Sequence, residues 1–547
     1  MLLLRKDRSA SCDSRVTRLG NFPVAVFRAR WWITCALSAC LFLWSLSLFW
    51  IPGKGFTCLV VFGDHWSDQY IPELKSQEIY IAKDSWGYDA QAYAQIAMDP
   101  VLTDTDLNRA VDSLPYRSRR ILFCWTAWMA GGGDPAQALF AFTLQNAIAW
   151  CLLAILLFRW FKQETLGDFI RWFATLFSIG MIFSVRCSLM DGPSLVLIAA
   201  GIALAEARKP WLSALVLGVS GLGKETNILA CVATDMPNRP TIKAWLPVVA
   251  RVAIVVLPLA LWLGYLASMF GMSETVGSGN FGLPLVAYIG KWRATIGELS
   301  KVYSKLEVQN LAVLVSLAVQ FLFFACRLRL HDRWWRLGAL MSVLMLVLGP
   351  AVWKGYPCAS ARVLLPMLLA FNISVPRGWK WAIVLLLGNI SIIGSPTLFN
   401  PPPREDFQVT GPPALIKSAE NGRTVGMDFK GGWYGIERSR LEYWRWSSGQ
   451  ASIVFNNPHA FPVAVETSFD MRSRKPRDLR IELDGKVIWE GDLKDDTKHI
   501  HLKFDLPPGE SRWLFATKTQ AYPAGDTDPR MLAFSVRNLE VKIVGRR

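Results

Sequence analysis

The chain has 547 residues, 52% of them hydrophobic, and a mean hydropathy of +0.27, with its apolar residues gathered into blocks of bilayer length. That distribution excludes an ordinary soluble enzyme and predicts a polytopic membrane protein. The formal net charge of +16 does not point to nucleic acid, because no recognition motif accompanies it and much of the excess lies between apolar blocks.

Residues 1–30 form a basic tail carrying Arg5, Lys6, Arg8, Arg15, Arg18, Arg28 and Arg30. Basic residues recur at Arg159, Lys162 and Arg171, and again at Arg327, Arg329, Arg333 and Arg336. This is the positive-inside pattern, with basic loops retained in the cytoplasm of a cell whose inner membrane the chain crosses. A first span over residues 31–50, with Trp31 and Trp50 at its ends, is too long for a signal peptide and lacks a small-residue cleavage site. The amino terminus is therefore expected in the cytoplasm, and residues 53–120 form an extracytoplasmic loop rich in Asp, Tyr and Arg.

Further apolar blocks lie near 136–158, 172–187, 192–207, 211–233, 245–270, 310–326, 335–351, 361–375 and 380–396, giving about ten membrane segments within residues 31–396. The block at 211–233 is interrupted by Gly218, Gly221 and Gly223 and carries Lys224 and Glu225, so it reads as broken or re-entrant. With that break, the loops at 271–309 and 353–360 and everything after residue 395 fall on the extracytoplasmic side. The ten cysteines show no CxxC spacing, lie mostly in or beside apolar blocks, and read as small buried hydrophobes.

Beyond Pro401, Pro402 and Pro403 the pattern changes. Residues 397–430 read as a linker, and residues 431–547 as an extracytoplasmic all-β domain. Runs such as SIVF, AVETSF, LRIEL, KVIWEG and HIHLKF alternate apolar and polar residues between turns at Asn456-Asn457-Pro458 and Asp484-Gly485, which predicts a jelly roll or β-sandwich. His499 and His501 share one face of a predicted strand.

Four clusters carry candidate chemistry, because charge at or near a bilayer is costly and is seldom placed there without a role. In DSWGYDAQAY, residues 84–93, Asp89 and Tyr93 are one helical turn apart and Tyr88, Gln91 and Asp99 flank them. A helix along the membrane surface would present acid, amide and phenol to one cleft, or Asp89 would simply cap it. Downstream, Tyr116, Arg117, Arg119 and Arg120 suit a lipid phosphate or snorkel to headgroups. Asp191 opens an apolar block beside Pro193, as a cap or as a second acid facing the same cleft. A divalent metal shared by Asp89 and Asp191 stays open, with no His cluster or acidic ligand run beside them.

The stretch GVSGLGKET, residues 218–226, fits GxxxxGK, but Glu225 stands where a phosphate loop needs Ser or Thr, and an apolar block surrounds it. Lys224 and Glu225 instead read as a pair inside the bundle or as part of a phosphate site. In WKGYPCASARVLLP, residues 353–366, Lys354 and Arg362 anchor to headgroups or neutralise a lipid-linked phosphate.

Taken in order, GYDAQAY, the DP that follows it, YRSRRIL, Asp191, GLGKET and SARVLLP resemble bacterial polytopic membrane glycosyltransferases of the GT-C superfamily over roughly residues 30–396. The resemblance implies transfer of a sugar from a polyprenyl-phosphate donor to a glycan, lipid or protein acceptor outside the cytoplasmic membrane. It implies Asp89 as the essential loop acid and Asp191 as a second acid. Tyr88, Gln91, Tyr93, Arg117, Arg120, Lys224, Glu225, Lys354 and Arg362 are the candidate substrate contacts. The β-domain, with GGWYGIE, WRWSSG and DPRMLAFSV, looks like a jelly roll appended to some bacterial relatives. Its Trp433, Tyr434, Trp444, Trp446 and Trp489 are either core or sugar-stacking residues. A transporter or flippase of lipid-linked sugars and a non-catalytic envelope assembly protein are the competing readings.

Overall fold

The fold comes from a computed structural model, which describes residues 22–51, 53–82, 85–237, 241–271, 278–301, 304–354, 358–401, 409–418, 420, 423–438, 443–494, 496–525 and 528–547. The chain divides into two compact units, Met1–Asn400 and Pro401–Arg547.

The first unit is helical. Among the described residues four helices are long and apolar enough to cross a membrane: Pro135–Arg159, Leu166–Arg186, Ile242–Phe270 and Lys305–Cys326. A fifth is added if Trp379–Gly388 and Ile390–Phe399, which meet at 44°, count as one span. The expected first span falls in helix Phe22–Ser47, which is not among these four. The helices of the described residues therefore show four or five of the ten expected membrane segments, and several of the remaining apolar blocks are short or broken.

The block at 211–233 consists of helix Pro210–Gly223 and a 3-10 stretch, Glu225–Ala233, separated by Lys224 in extended conformation (φ −161°, ψ 127°). Fourteen helical residues rise about 21 Å, short of the ~30 Å hydrocarbon core. The glycines of this stretch serve close packing: a Cβ on Gly218 would lie 2.7 Å from the Ile254 carbonyl oxygen, and one on Gly223 2.6 Å from the Phe123 ring. Close approach of neighbours, rather than a phosphate-binding turn, accounts for them.

Helix Ala90–Met98, expected as an amphipathic surface helix, is packed into the protein. Its residues are buried except for Gln91. Gln95 within it accepts from the Ile71 amide at 3.0 Å and donates to the Ala110 carbonyl at 3.2 Å, so its polar side chain is satisfied inside the loop's own fold. The extracytoplasmic loop of the sequence reading is a packed layer, with Leu59, Phe62, Ile71, Leu74, Tyr93 and Ile96 in the core of the helical unit.

The second unit is a β-sandwich. One sheet orders Lys486–Leu493, Arg477–Leu483, Gly509–Ala516, Ala451–Asn457 and Gly426–Lys430, all antiparallel. The other orders Lys498–Leu506, Val463–Arg472, Ser535–Arg546, Tyr443–Ser447 and Trp433–Arg438, with Val409–Thr410 added in parallel to Ser535–Arg546. Strict alternation of buried and half-buried residues along Val463–Arg472 sends Val463, Val465, Phe469 and Met471 into a core shared with Phe455, Ile481, Trp513 and Phe515. Residues 409–410 and 426–430, read from sequence as linker, are strands of this unit because their partners offer unpaired sheet edges.

Candidate active site

The helical unit encloses a cavity of about 630 Å³. Five cationic side chains, Arg117, Arg119, Arg120, Lys224 and Arg362, face four carboxylates, Asp89, Asp112, Asp191 and Glu225. Residues that are distant in sequence meet here through the packing just described.

Asp89 sits at the start of helix Ala90–Met98 but does not cap it. Its carboxylate instead accepts from Arg117 Nη2 at 3.1 Å and from Arg362 Nη2 at 3.1 Å. Asp191 likewise opens helix Asp191–Glu206 without capping it. It accepts from Lys224 Nζ at 2.5 Å and from Arg362 Nη1 at 3.1 Å. Arg362, on helix Cys358–Val363, therefore bridges the two acids through the two ends of one planar fork. The guanidinium fills the place between them that a shared cation would take. Among the described residues no group of three or more His, Cys, Asp or Glu side chains could hold a metal ion.

Lys224 and Glu225, expected as a pair, turn to different partners because the helix break sends them apart. Lys224 goes to Asp191, and Glu225 accepts from Arg120 Nε at 2.8 Å. Arg120 also donates to the Tyr93 hydroxyl at 3.1 Å and to the Tyr116 hydroxyl at 3.4 Å, and Asn280 Nδ2 donates to Tyr116 at 3.0 Å. Arg117 is further fixed by a two-point contact to Asp112, at 2.9 and 2.7 Å. The Tyr88 ring lies under the Arg362 guanidinium at 5.8 Å. Among the described residues Arg119 has no carboxylate partner and rests over the Tyr116 ring at 5.4 Å, so the cavity holds one cation in excess.

Two sequence candidates do not line this cavity. Tyr93 is buried behind it, holding Arg120 by its hydroxyl and Arg117 over its ring face at 5.7 Å. Gln91 points the other way, accepting from the Gly63 amide at 3.2 Å and the Tyr70 hydroxyl at 3.0 Å while donating to the Trp86 carbonyl at 2.8 Å. Of the acids nearest Asp89 in sequence, Asp99 accepts from the Thr103 and Asp104 amides and shapes a turn, and Asp84 lies outside the described residues. The Lys354 side chain also lies outside them. Sequence reasoning missed Asp112 and Asn280. Asp112 carried a weak signal, an acid five residues before Arg117 in the same loop; Asn280 carried none.

Burial by itself would raise the Asp89 carboxyl, but Arg117 and then Arg362 more than reverse it and hold the group below its ordinary 3.8. A depressed folded value stabilises above the unfolded value, and that contribution is lost as pH falls through the folded one. Thermal unfolding of wild type and Asp89→Asn should therefore differ at neutral pH, and the gap should close as pH falls below about 4. A gap unchanged through that acid range would contradict the ion-pair assignment.

In the β-sandwich, the five aromatic residues considered for sugar stacking are largely occupied. Trp433 packs edge-on to Phe429, Phe515 and Phe534, and Trp446 is buried. Tyr434, Trp444 and Trp489 carry Arg530, Arg537 and Lys498 over their rings at 5.5, 4.5 and 5.0 Å. His499 and His501 are exposed, with His499 on Asp470 at 2.8 Å.

No family model matches the chain, and no curated protein matches it. Similarity to solved structures comes through the β-sandwich. A family two carbohydrate esterase from Clostridium thermocellum, in complex with cellohexaose, is similar at 12% identity and TM-score 0.16 over 22% of this chain and 34% of that one. A family 35 carbohydrate binding module from the same organism is similar at 10% identity and TM-score 0.13, over 21% of this chain and 86% of that one. A CBM35 from Paenibacillus barcinonensis is similar at 13% identity and TM-score 0.13, over 22% and 94%. The chain spans about a third of the length of the esterase structures it matches.

Proposed function

We propose that the chain is a glycosyltransferase of the cytoplasmic membrane, moving a sugar from a polyprenyl-phosphate donor to an extracytoplasmic glycan, lipid or protein. One observation carries this reading: the Asp89 carboxylate is held between Arg117 and Arg362 on the wall of a cavity that bears five cations. A general base and a phosphate site are then the same network in two states. A donor phosphate competes with Asp89 for the two arginines, and as it takes them it releases the carboxylate to accept a proton.

In the transfer step the acceptor oxygen bonds to the anomeric carbon as the bond from that carbon to the phosphate oxygen breaks. The hydroxyl proton passes to Asp89, the electron pair leaves with the phosphate, and the anomeric configuration inverts. The phosphate gains a second negative charge as it departs, so Arg117, Arg120, Lys224 and Arg362 attract it more strongly in the transition state than in the bound donor. Asp191 and Glu225 act one step back, positioning Arg362, Lys224 and Arg120.

The break at Lys224 favours a second reading, transport of a lipid-linked sugar, since interrupted helices line many transporter sites. Purified protein supplied with defined radiolabelled polyprenyl-phosphate sugars separates the two. Label leaving the polyprenyl phosphate for a supplied glycan, lipid or protein acceptor is the expected result. Label that crosses a vesicle membrane while still bonded to its lipid would establish the transporter instead.

A further inference from the structure

Asp89 and Arg117 line a second cavity as well as the first. With Tyr88 and Asp112, which both cavities also share, they border a space of about 210 Å³ bounded further by Trp66, Trp86 and Gln91. The larger cavity is rich in cations, whereas this one has Arg117 alone among them, with two indoles, the two shared acids and an amide. Trp86 is 68% exposed, so its indole is open to a ligand at the edge of this space.

That exposure is built into the backbone. The turn carrying Trp86 is pinned by His65 N to the Ser85 carbonyl at 3.2 Å, Tyr88 N to the Val61 carbonyl at 3.0 Å, and Ser85 N to Asp64 Oδ1 at 2.9 Å. Gln91 holds the Trp86 carbonyl itself. Gly87 adopts φ +72°, and Gly63 crosses it so closely that a Cβ on Gly63 would lie 2.2 Å from the Gly87 amide nitrogen. His65 and Trp66 meet the indole at steep angles, 64° and 70°, with centroids 4.8 and 6.3 Å away. A tryptophan that only partitions into headgroups needs no such fixed turn. A rigid aromatic beside acceptors for hydroxyl hydrogens suits a sugar ring, which has an apolar face and a polar rim.

We propose that this smaller cavity takes a pyranose of the acceptor, stacked on Trp86, with the attacking hydroxyl turned toward Asp89. The inference rests on the transferase reading for Asp89's role, and it assigns the acceptor class as carbohydrate. Asp89 borders both cavities, which sets it beside the acceptor hydroxyl as a base for the transfer has to be, with the anomeric carbon in line between that hydroxyl and the departing phosphate oxygen.

The test uses the full chain in lipid nanodiscs with methyl glucoside, galactoside, mannoside and N-acetylglucosaminide as probes, read by saturation-transfer NMR. At least one glycoside is expected to receive saturation on its ring protons. Trp86→Ala should weaken that binding about tenfold, and Trp86→Tyr, which keeps an aromatic face, should retain most of it. No binding by any probe, or binding indifferent to Trp86→Ala, overturns the pocket. Wild-type turnover of the polyprenyl-phosphate donor is measured beside it and tests the transferase reading separately. Donor turnover without Trp86-dependent binding removes the pocket alone; Trp86-dependent binding without donor turnover keeps the sugar site and removes the transferase.

Discussion

Asp89→Asn is expected to lower sugar transfer by about 10²–10⁴-fold, the usual contribution of a positioned general base, while leaving the protein folded. The amide keeps the carboxylate's shape but cannot take the acceptor proton. Its structural cost is limited, because Arg117 retains Asp112 and Arg362 retains Asp191. Loss of those contacts to Asp89 should cost about 1–3 kcal/mol of stability, a hydrogen-bonded charge losing one of its partners. Transfer rates from labelled donor, measured beside thermal unfolding, separate the two effects. Full activity in Asp89→Asn would remove this residue from the mechanism.

Arg362→Ala is expected to damage stability and activity together. Arg362 joins Asp89 and Asp191, so its loss leaves each acid with one cation instead of two; breaking a fully buried pair costs about 3–5 kcal/mol, and the partial exposure of Asp89 brings the expected loss to about 2–4 kcal/mol. Arg362→Lys distinguishes charge from geometry. A single ammonium restores the charge but cannot span two carboxylates as a planar fork does. Arg362→Lys should therefore recover most of the thermal stability and little of the transfer rate. If it recovers both, a point charge suffices and the bridge has no separate role.

The chemistry at the centre of the helical unit was partly legible because charge in an apolar sequence is conspicuous. Asp89, Asp191, Lys224 and Arg362 stood out for that reason, and all four line one cavity. Which partner each one takes was not legible. Lys224 and Glu225 are adjacent in sequence, yet the extended backbone at Lys224 sends one to Asp191 and the other to Arg120. Tyr93 and Gln91 belong to the same motif as Asp89, but Tyr93 is buried behind the arginines, and Gln91, half-buried, is turned toward the Trp86 carbonyl by its hydrogen bonds.

Fewer long apolar helices are seen than the ten expected segments, for a related reason. Apolar composition marks what is kept from water, and residues buried in the protein are apolar as well as those facing lipid. Helix Asp191–Glu206 has 16 residues and helix Pro210–Gly223 has 14, lengths that suit packing inside a helical unit better than a full crossing.

Sequence by itself determined that an all-β unit follows a helical one, the strands carrying SIVF, AVETSF, LRIEL, KVIWEG and HIHLKF, and the identity of the conspicuous charges. Period-two alternation and unpaired charge are local properties that hold whatever the neighbours are. Tertiary structure alone decided the site. Asp112 and Asn280 entered it, the Arg362 bridge formed across 171 residues from Asp191 and 273 from Asp89, and Trp86 was fixed at the rim of a second cavity. Ion pairing and stacking depend on distances of a few ångströms, and those are set by helix breaks and glycine crossings whose effect is felt only once the chain has packed.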